Sequence, residues 1–369
     1  MPAGVLLDAT PLSHAHALRG IGAAVGGLLA GFRELDVAAR PTLLIRREQK
    51  QIEGFAHREV RWPRWRGYRI PDPWPRSVGE RVVRRREQAL FHATQPALVP
   101  AGQGVVVTLY DLIPAVYWSD YLGGAGRAPE RRAYCHFLER VASADAVIAI
   151  SQETADDATR LLDLDPERIH VVPLACPPQA AAEGSTPSGQ YVLYAGGLEP
   201  HKNAALLIDA MARVDAGARL VMVGAWSKRR LARLKRRARK SGSAGRIDWL
   251  GHVSAGRLSA LRREAAAVLV PSRKEGFGLP VLEAMAAGRP VVASDTPAIR
   301  EVGGDAVTYL PPEDPAPWAA QIDAIAEDAA LRRTMSSRGT HRAREFSWRA
   351  TAEAIRAVYL ITQERLDAA

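Results

Sequence analysis

Short apolar runs recur along this chain at intervals that leave room for a helix between one and the next. They are Val5-Leu6-Leu7, Val105-Val106-Val107, Ala146-Val147-Ile148-Ala149-Ile150, Val192-Leu193-Tyr194, Leu220-Val221-Met222-Val223, Val268-Leu269-Val270 and Val291-Val292-Ala293. Their unbroken apolar character, rather than alternation, is that of strands covered on both faces. Strand and helix patterns taking turns predict an α/β protein with parallel sheets joined by helical crossovers. Cys176-Pro177-Pro178 and residues 180–190, rich in Ala, Ser, Pro and Gly, separate two such series and read as a linker. The expected organisation is a first domain over 1–178, a linker over 179–190, a second domain over 191–345 and a C-terminal segment over 346–369. Within that segment a helix is expected from Ser347 through Tyr359 to Leu366. Further helices are expected after Gly20-Ile21-Gly22, over residues 23–32, and after Ser254, a capping residue ahead of Leu258 and Leu261.

The segment after Val268-Leu269-Val270 concentrates the chemistry. It reads Glu275-Gly276-Phe277-Gly278-Leu279-Pro280-Val281-Leu282-Glu283. Pro280 suits the first turn of a helix, and Gly288 followed by Pro290 closes it. Free N–H groups and a positive dipole end would then face whatever sits above the glycines, which favours a phosphate. Glu283 falls about one turn into this helix among Val281, Leu282, Ala284, Met285 and Ala286. A carboxylate buried there needs donors such as ribose hydroxyls; partly exposed, it needs only water. Glu275 reads either as a site carboxylate or as a loop acid beside Lys274. A second element, residues 191–203, runs from a strand through Gly196-Gly197 to Lys202-Asn203.

With these motifs, the segment Val147-Ile148-Ala149-Ile150-Ser151 and the tail Phe346-Ser347-Trp348, the chain resembles family 4 of the retaining glycosyltransferases over nearly its whole length. The resemblance implies the α/β GT-B fold, two Rossmann-like domains with parallel sheets facing across a cleft. It implies that Glu283 holds the nucleotide ribose, that Glu275 contacts the donor sugar, and that Lys202 faces the diphosphate together with the backbone of Gly276, Phe277, Gly278 and Leu279. The turn ending at Val253 would help hold the base. Gly20 and Gly22 would face the donor phosphates from the first domain, and the last helix would cross back onto that domain. Asp111, in Tyr110-Asp111-Leu112-Ile113-Pro114, aligns with an element usually written H-D. Tyrosine replaces the histidine here, so Asp111 reads equally as a substrate contact or as a turn residue. Gly197 and His201 stand near positions where relatives often carry arginine, which leaves Arg273, Lys274 or a first-domain residue as the second cation.

The activity implied is retaining, metal-independent transfer of a hexose or similar sugar. The donor would be a UDP-, GDP- or dTDP-linked sugar, with no other cofactor, and the acceptor a hydroxyl of a sugar, a lipid-linked or a small molecule. A glycosidase using Glu275 and Glu283 is one rival. Were both on one helix, eight residues at about 1.5 Å each would part them by roughly 12 Å, beyond the ~5 to 9.5 Å such pairs use. The other rival is a basic nucleic-acid-binding protein, favoured by charge alone.

Charge refines the picture of partners. Fifty Lys and Arg against forty Asp and Glu leave +10, with 47% hydrophobic residues as in a globular protein. One basic cluster is residues 227–240, with Leu231 and Leu234 on one side of a helix. It reads as a solvated face or as a contact with an anionic membrane or polyanion. The other runs from Arg61-Trp62-Pro63-Arg64-Trp65-Arg66 through Tyr68, Arg69 and Trp74, a loop whose cations and aromatics suit an acceptor or simply fill space. Nucleic acid is not an expected partner. Two cysteines, Cys135 and Cys176, exclude a disulfide framework and a Cys-rich zinc site. Asp163-Leu164-Asp165 has the spacing of a cation motif but stands before Pro166, as capping residues would. No apolar run reaches the ~18 residues of a membrane span, and residues 20–32 are too short and glycine-rich. A cytoplasmic protein, peripheral at most to the inner membrane surface, is expected.

Overall fold

The structure, a computed structural model, describes residues 4–13, 20–60, 89–176 and 191–369. It divides into two units, Met1–Ala175 with Ser347–Ala369, and Cys176–Phe346. The linker expected over 179–190 and the Arg61 to Trp74 loop lie outside the described residues.

The first unit is built on seven parallel strands, β1 (Val5–Asp8), β2 (Thr42–Arg46), β3 (His57–Val60), β4 (Leu90–Ala93), β5 (Val105–Leu109), β6 (Ala146–Ala149) and β7 (Ile169–Val171). Their order is β3-β2-β1-β4-β5-β6-β7, so the direction of winding reverses between β1 and β4. Helices α1 (Ile21–Arg33), α2 (Ala128–Ala142) and α3 (Gln152–Leu162) cover the sheet. Leu6, Leu44, Phe91, Val105, Val107 and Val147 join Val141 of α2 in one core. Ser151 caps α3 by accepting from the Thr154 N–H, and Asp163 ends it in the left-handed region, with Asp165 capping the next turn. The Asp163-Leu164-Asp165 motif is therefore spent on local structure.

The second unit has six parallel strands, β8 (Tyr191–Ala195), β9 (Arg219–Val223), β10 (Ile247–Gly251), β11 (Ala267–Val270), β12 (Val291–Ser294) and β13 (Thr308–Leu310), in the order β10-β9-β8-β11-β12-β13. Here the winding reverses between β8 and β11. Its helices are α4 (Ala204–Met211), α5 (Lys228–Ser241), α6 (Ala255–Glu264), α7 (Leu279–Ala286), α8 (Pro297–Gly303), α9 (Pro315–Glu327) and α10 (Ala329–Ala343). Ser227 and Ser254 cap α5 and α6 through their side chains. Trp318 is fully buried at the centre of the core, its indole N–H donating to the Pro311 carbonyl at 2.9 Å.

The last helix, α11 (Trp348–Ala368), is capped by Ser347 and belongs to the first unit. Its seat on α1 depends on two glycines. A Cβ at Gly27 would fall inside the Trp348 indole, and one at Gly31 would fall on the Trp348 carbonyl. Further along α11, the Tyr359 hydroxyl meets His92 Nδ1 of β4 at 2.6 Å, while His92 Nε2 meets Thr108 Oγ1 of β5 at 2.7 Å. His92 is fully buried, and burial pushes its pKa down to about 3, so it is neutral. Among the described residues no helix is long and apolar enough to cross a membrane. Both cysteines are free thiols.

Candidate active site

Ligands of doubly wound sheets settle beyond the carboxyl ends of the strands, where the winding reverses. In the second unit that place lies between β8 and β11, and the two expected motifs leave those neighbouring strands. The β8 loop runs through Gly196 and Gly197 to a single turn, Pro200–Lys202, and Asn203 then enters α4 at φ 52°. Asn203 tolerates that left-handed backbone, and its amide donates to the Pro312 carbonyl at 2.8 Å. The β11 loop carries Ser272 to Gly278, and Gly278, at φ 103°, opens α7 without a side-chain cap. The Arg273 N–H ties the loops together by donating to the His201 carbonyl at 2.7 Å.

Lys202 and Glu275 meet across this junction. Lys202 Nζ lies 2.8 Å from both carboxylate oxygens of Glu275. Burial alone would raise the Glu275 carboxyl, but the Lys202 ammonium outweighs it by charge and by direct hydrogen bonds. Ser272 adds a third bond, and the net result holds Glu275 below the ordinary carboxylate range. The side chains are 23% and 7% exposed, so the carboxylate is sunk and the ammonium reaches the surface. His201 is pushed down to about 4, by burial first and then by Lys202.

Glu283 sits in α7 and pairs through Oε2 with Arg262 of α6. The arginine is 8% exposed and the glutamate 26%, so of the two readings left open by the sequence Glu283 takes the partly exposed one, with an arginine as its partner. Glu275 stands in the loop before α7 rather than on it, so the two glutamates do not share a helix, and the ~12 Å helical separation does not apply. The neighbouring Cys176 thiol is pushed up to about 12, by burial first and then by the Glu283 charge.

The remaining site positions fall as follows. Gly276 and Leu279 are partly exposed and Phe277 is buried, its ring edge-on to Phe346 at 6.0 Å. Val253 is half-buried just after β10, which takes in Leu250 and Gly251, so the expected turn begins two residues later. In the first unit, Gly20 caps α1 at φ 52° and Gly22 lies buried in its first turn. Asp111, half-buried after β5, accepts the Ile113 N–H at 2.9 Å through Oδ1, a turn bond.

Two participants escaped sequence reasoning. Arg262 is the partner of Glu283. Arg230, from the basic helix, reaches Glu199 of the β8 loop at 2.9 Å, and a Cβ at Gly197 would fall within that same Glu199 carboxylate. Of the expected second cations, Arg273 is exposed and Lys274 is buried. Among the described residues no group of three or more His, Cys, Asp or Glu is placed to hold a metal ion.

Comparison with known proteins assigns the family. The model described as Glycosyltransferase Family 4 matches residues 28–179, and that described as Glycosyl transferases group 1 matches residues 179–342. The D-inositol 3-phosphate glycosyltransferase of Jonesia denitrificans is 30% identical over 259 residues, 63% of this chain and 61% of that protein. The O-antigen chain mannosyltransferase B of Escherichia coli is 33% identical over 242 residues, 60% and 62% of the two chains. The solved structure of Anabaena HepE in complex with UDP and glucose superposes with a TM-score of 0.70 at 17% identity, covering 96% of this chain and 98% of that one. The match spans about three fifths of the length of the curated relatives. The chain belongs to the family 4 glycosyltransferases and has their GT-B class of fold, two Rossmann-like units on parallel sheets.

Proposed function

We propose that the protein transfers a sugar from a nucleoside diphosphate sugar to a hydroxyl acceptor, with retention and without a metal ion. The observation that carries this reading is the Lys202–Glu275 pair at the point where the second sheet reverses its winding. An ammonium has three donors, and Glu275 takes two of Lys202's. The third is available to a diphosphate oxygen, whose charge grows as the glycosidic bond breaks. The uncapped first turn of α7 adds backbone N–H groups at a positive dipole end. Glu283 offers Oε1 to ribose hydroxyls while Arg262 holds Oε2.

The glycosidase rival needs one carboxylic acid with a raised pKa, and Lys202 drives Glu275 the other way. Membership of the glycosyltransferase family disfavours the nucleic-acid rival. HepE was solved with UDP and glucose, which makes UDP-glucose the first donor to try.

Two variants test the assignment. Glu283→Ala should weaken binding of the bare nucleotide, because its partner is the ribose. Glu275→Ala should keep bare-nucleotide affinity and lose turnover of the sugar donor. Calorimetry with UDP, GDP and dTDP reads the first and product analysis the second, which also reports anomeric configuration and insensitivity to chelator. Unchanged nucleotide affinity in Glu283→Ala would falsify the ribose role.

A further inference from the structure

Helix α5 holds nine Lys and Arg and no Asp or Glu, in a chain whose net charge is +10. Among the described residues no other helix carries as large a net charge. The helix packs through Leu231, Leu234 and Ala238, which meet the core of the second unit. At about 100° per residue, Arg229, Arg233, Arg236 and Lys240 share one stripe on the opposite side, and it runs roughly 16 Å. All four are exposed.

Neighbouring cations of the helix are used within the protein. Arg230 pairs with Glu199, Arg237 with Asp209, and Lys235 stands 6.0 Å over the Trp249 ring. The four stripe side chains have no such partner among the described residues. The helix also carries this charge against its own local stability. Like charges stand four residues apart at Arg229 and Arg233 and again at Arg236 and Lys240, and Lys228 to Arg230 crowd the first turn, where the dipole end is already positive. Breaking two local rules on one exposed element points to counter-charge supplied from outside.

We propose that the Arg229–Arg233–Arg236–Lys240 stripe docks the protein onto a bilayer bearing anionic headgroups. The row is straight and one-sided, with its helix laid flat on the unit by the leucines, so its charges can meet a plane of phosphates together. Ala232 is the only exposed apolar residue along it, which makes the contact electrostatic rather than inserted. A single-stranded nucleic acid would want aromatic faces beside the cations. The aromatics at hand are engaged: Trp226 and Trp249 pack edge to face at 6.1 Å, and the Trp226 indole N–H donates to the Gly196 carbonyl. A duplex offers these cations a row of phosphates as well, and its retention counts against the proposal in the test below.

The test uses the full chain and extruded vesicles. Phosphatidylcholine vesicles with about 30% phosphatidylglycerol should bind it at about 0.1 M salt, pure phosphatidylcholine should not, and about 0.5 M salt should release it. The variant Arg229→Gln/Arg233→Gln/Arg236→Gln/Lys240→Gln should lose at least about 100-fold in partition, with its thermal unfolding no lower than that of the natural chain and its turnover of soluble substrates unchanged. As a control of equal charge, the exposed Arg213, Arg333, Arg338 and Arg344 of the same unit are changed to Gln, and binding should persist. The proposal is overturned if the wild-type chain ignores anionic vesicles, if it retains RNA or DNA instead, or if both quadruple variants lose binding equally.

Discussion

The two sheets each reverse their winding once, and each places a buried carboxylate at that point, yet the carboxylates are satisfied in opposite ways. At the end of β1, Asp8 is fully buried and meets no cation within hydrogen-bonding distance among the described residues. It accepts from the Thr10 N–H at 3.0 Å, from the Thr10 hydroxyl at 2.6 Å and from the Gln95 amide at 3.1 Å. Burial raises its pKa and these bonds only partly offset it. Glu275 is equally sunk, but Lys202 lowers its pKa. The first arrangement is closed, since its donors come from Thr10 beside it and from Thr94 and Gln95 after the neighbouring strand. The second leaves one ammonium proton and a partly exposed cation at the surface, an arrangement a charged ligand can join. Two sheets of one architecture thus differ in whether the carboxylate at the reversal point is enclosed by uncharged donors or paired with a cation open to the surface.

The largest blow to this contrast is Lys202→Ala. It leaves Glu275 buried and unpaired, which should cost roughly 3–5 kcal/mol in urea unfolding, and turnover should fall by about 10²–10³. Adding Glu275→Gln should restore most of the stability and none of the turnover. The pH dependence changes sign as well. In the natural chain the lowered Glu275 pKa contributes stability that is present above the ordinary carboxylate pKa and is lost as pH falls through the folded value. Without Lys202, burial dominates and raises the pKa, so the variant should weaken as pH rises toward neutrality. A loss below about 1 kcal/mol, the worth of an exposed pair, would place Glu275 effectively in water.

The next effect belongs to the first unit. Gly31→Ala drives a methyl onto the Trp348 backbone, which cannot turn aside as a side chain can, and should cost about 2–3 kcal/mol. Affinity for a bare nucleoside should be unchanged, because Glu283, proposed to hold its ribose, lies in the other unit. A smaller loss, about 1–2 kcal/mol, is expected for Tyr359→Phe, which strips the hydroxyl from His92. With a folded pKa near 3, His92 contributes stability that is full above its unfolded value of ~6.5 and falls as pH drops toward 3. Replacing His92 with Gln should flatten that acid limb, as read by the unfolding midpoint between pH 7 and pH 4.

How much of this could be read from the chain depends on where the constraint acts. The strands β1, β5, β6, β8, β9, β11 and β12 announce themselves, because a strand covered on both faces is apolar along its length. Strands β3, His57-Arg58-Glu59-Val60, and β13, Thr308-Tyr309-Leu310, lie at sheet edges where polar residues are free to stay, and their composition hides them. The cap at Ser254 was legible because a hydroxyl acts within three residues. Glu275, Glu283 and Lys202 stood out by motif, but the pairing of Lys202 with Glu275 and the Arg262 partner of Glu283 did not. Lys202 is 73 residues from Glu275, and Arg262 is 21 from Glu283 on a different helix. Arg262 follows Leu261 in an amphipathic helix and looks from sequence like a solvent-facing cation. Gly27 and Gly31 are spaced to clear one helix face, a pattern that names the need for a close neighbour without saying which neighbour fills it.

The seating of α11 on α1 bears on the order in which the molecule can be made. Residues 176–346 are continuous, so their sheet can close as soon as they leave the ribosome. The first unit is emitted earlier but must wait, with the Gly27–Gly31 surface bare and His92 lacking its Tyr359 partner, until residues 347–368 emerge. The segment synthesised first is therefore the one finished last. A nascent chain paused anywhere in the second unit therefore leaves the face around Gly27 and Gly31 uncovered in the first.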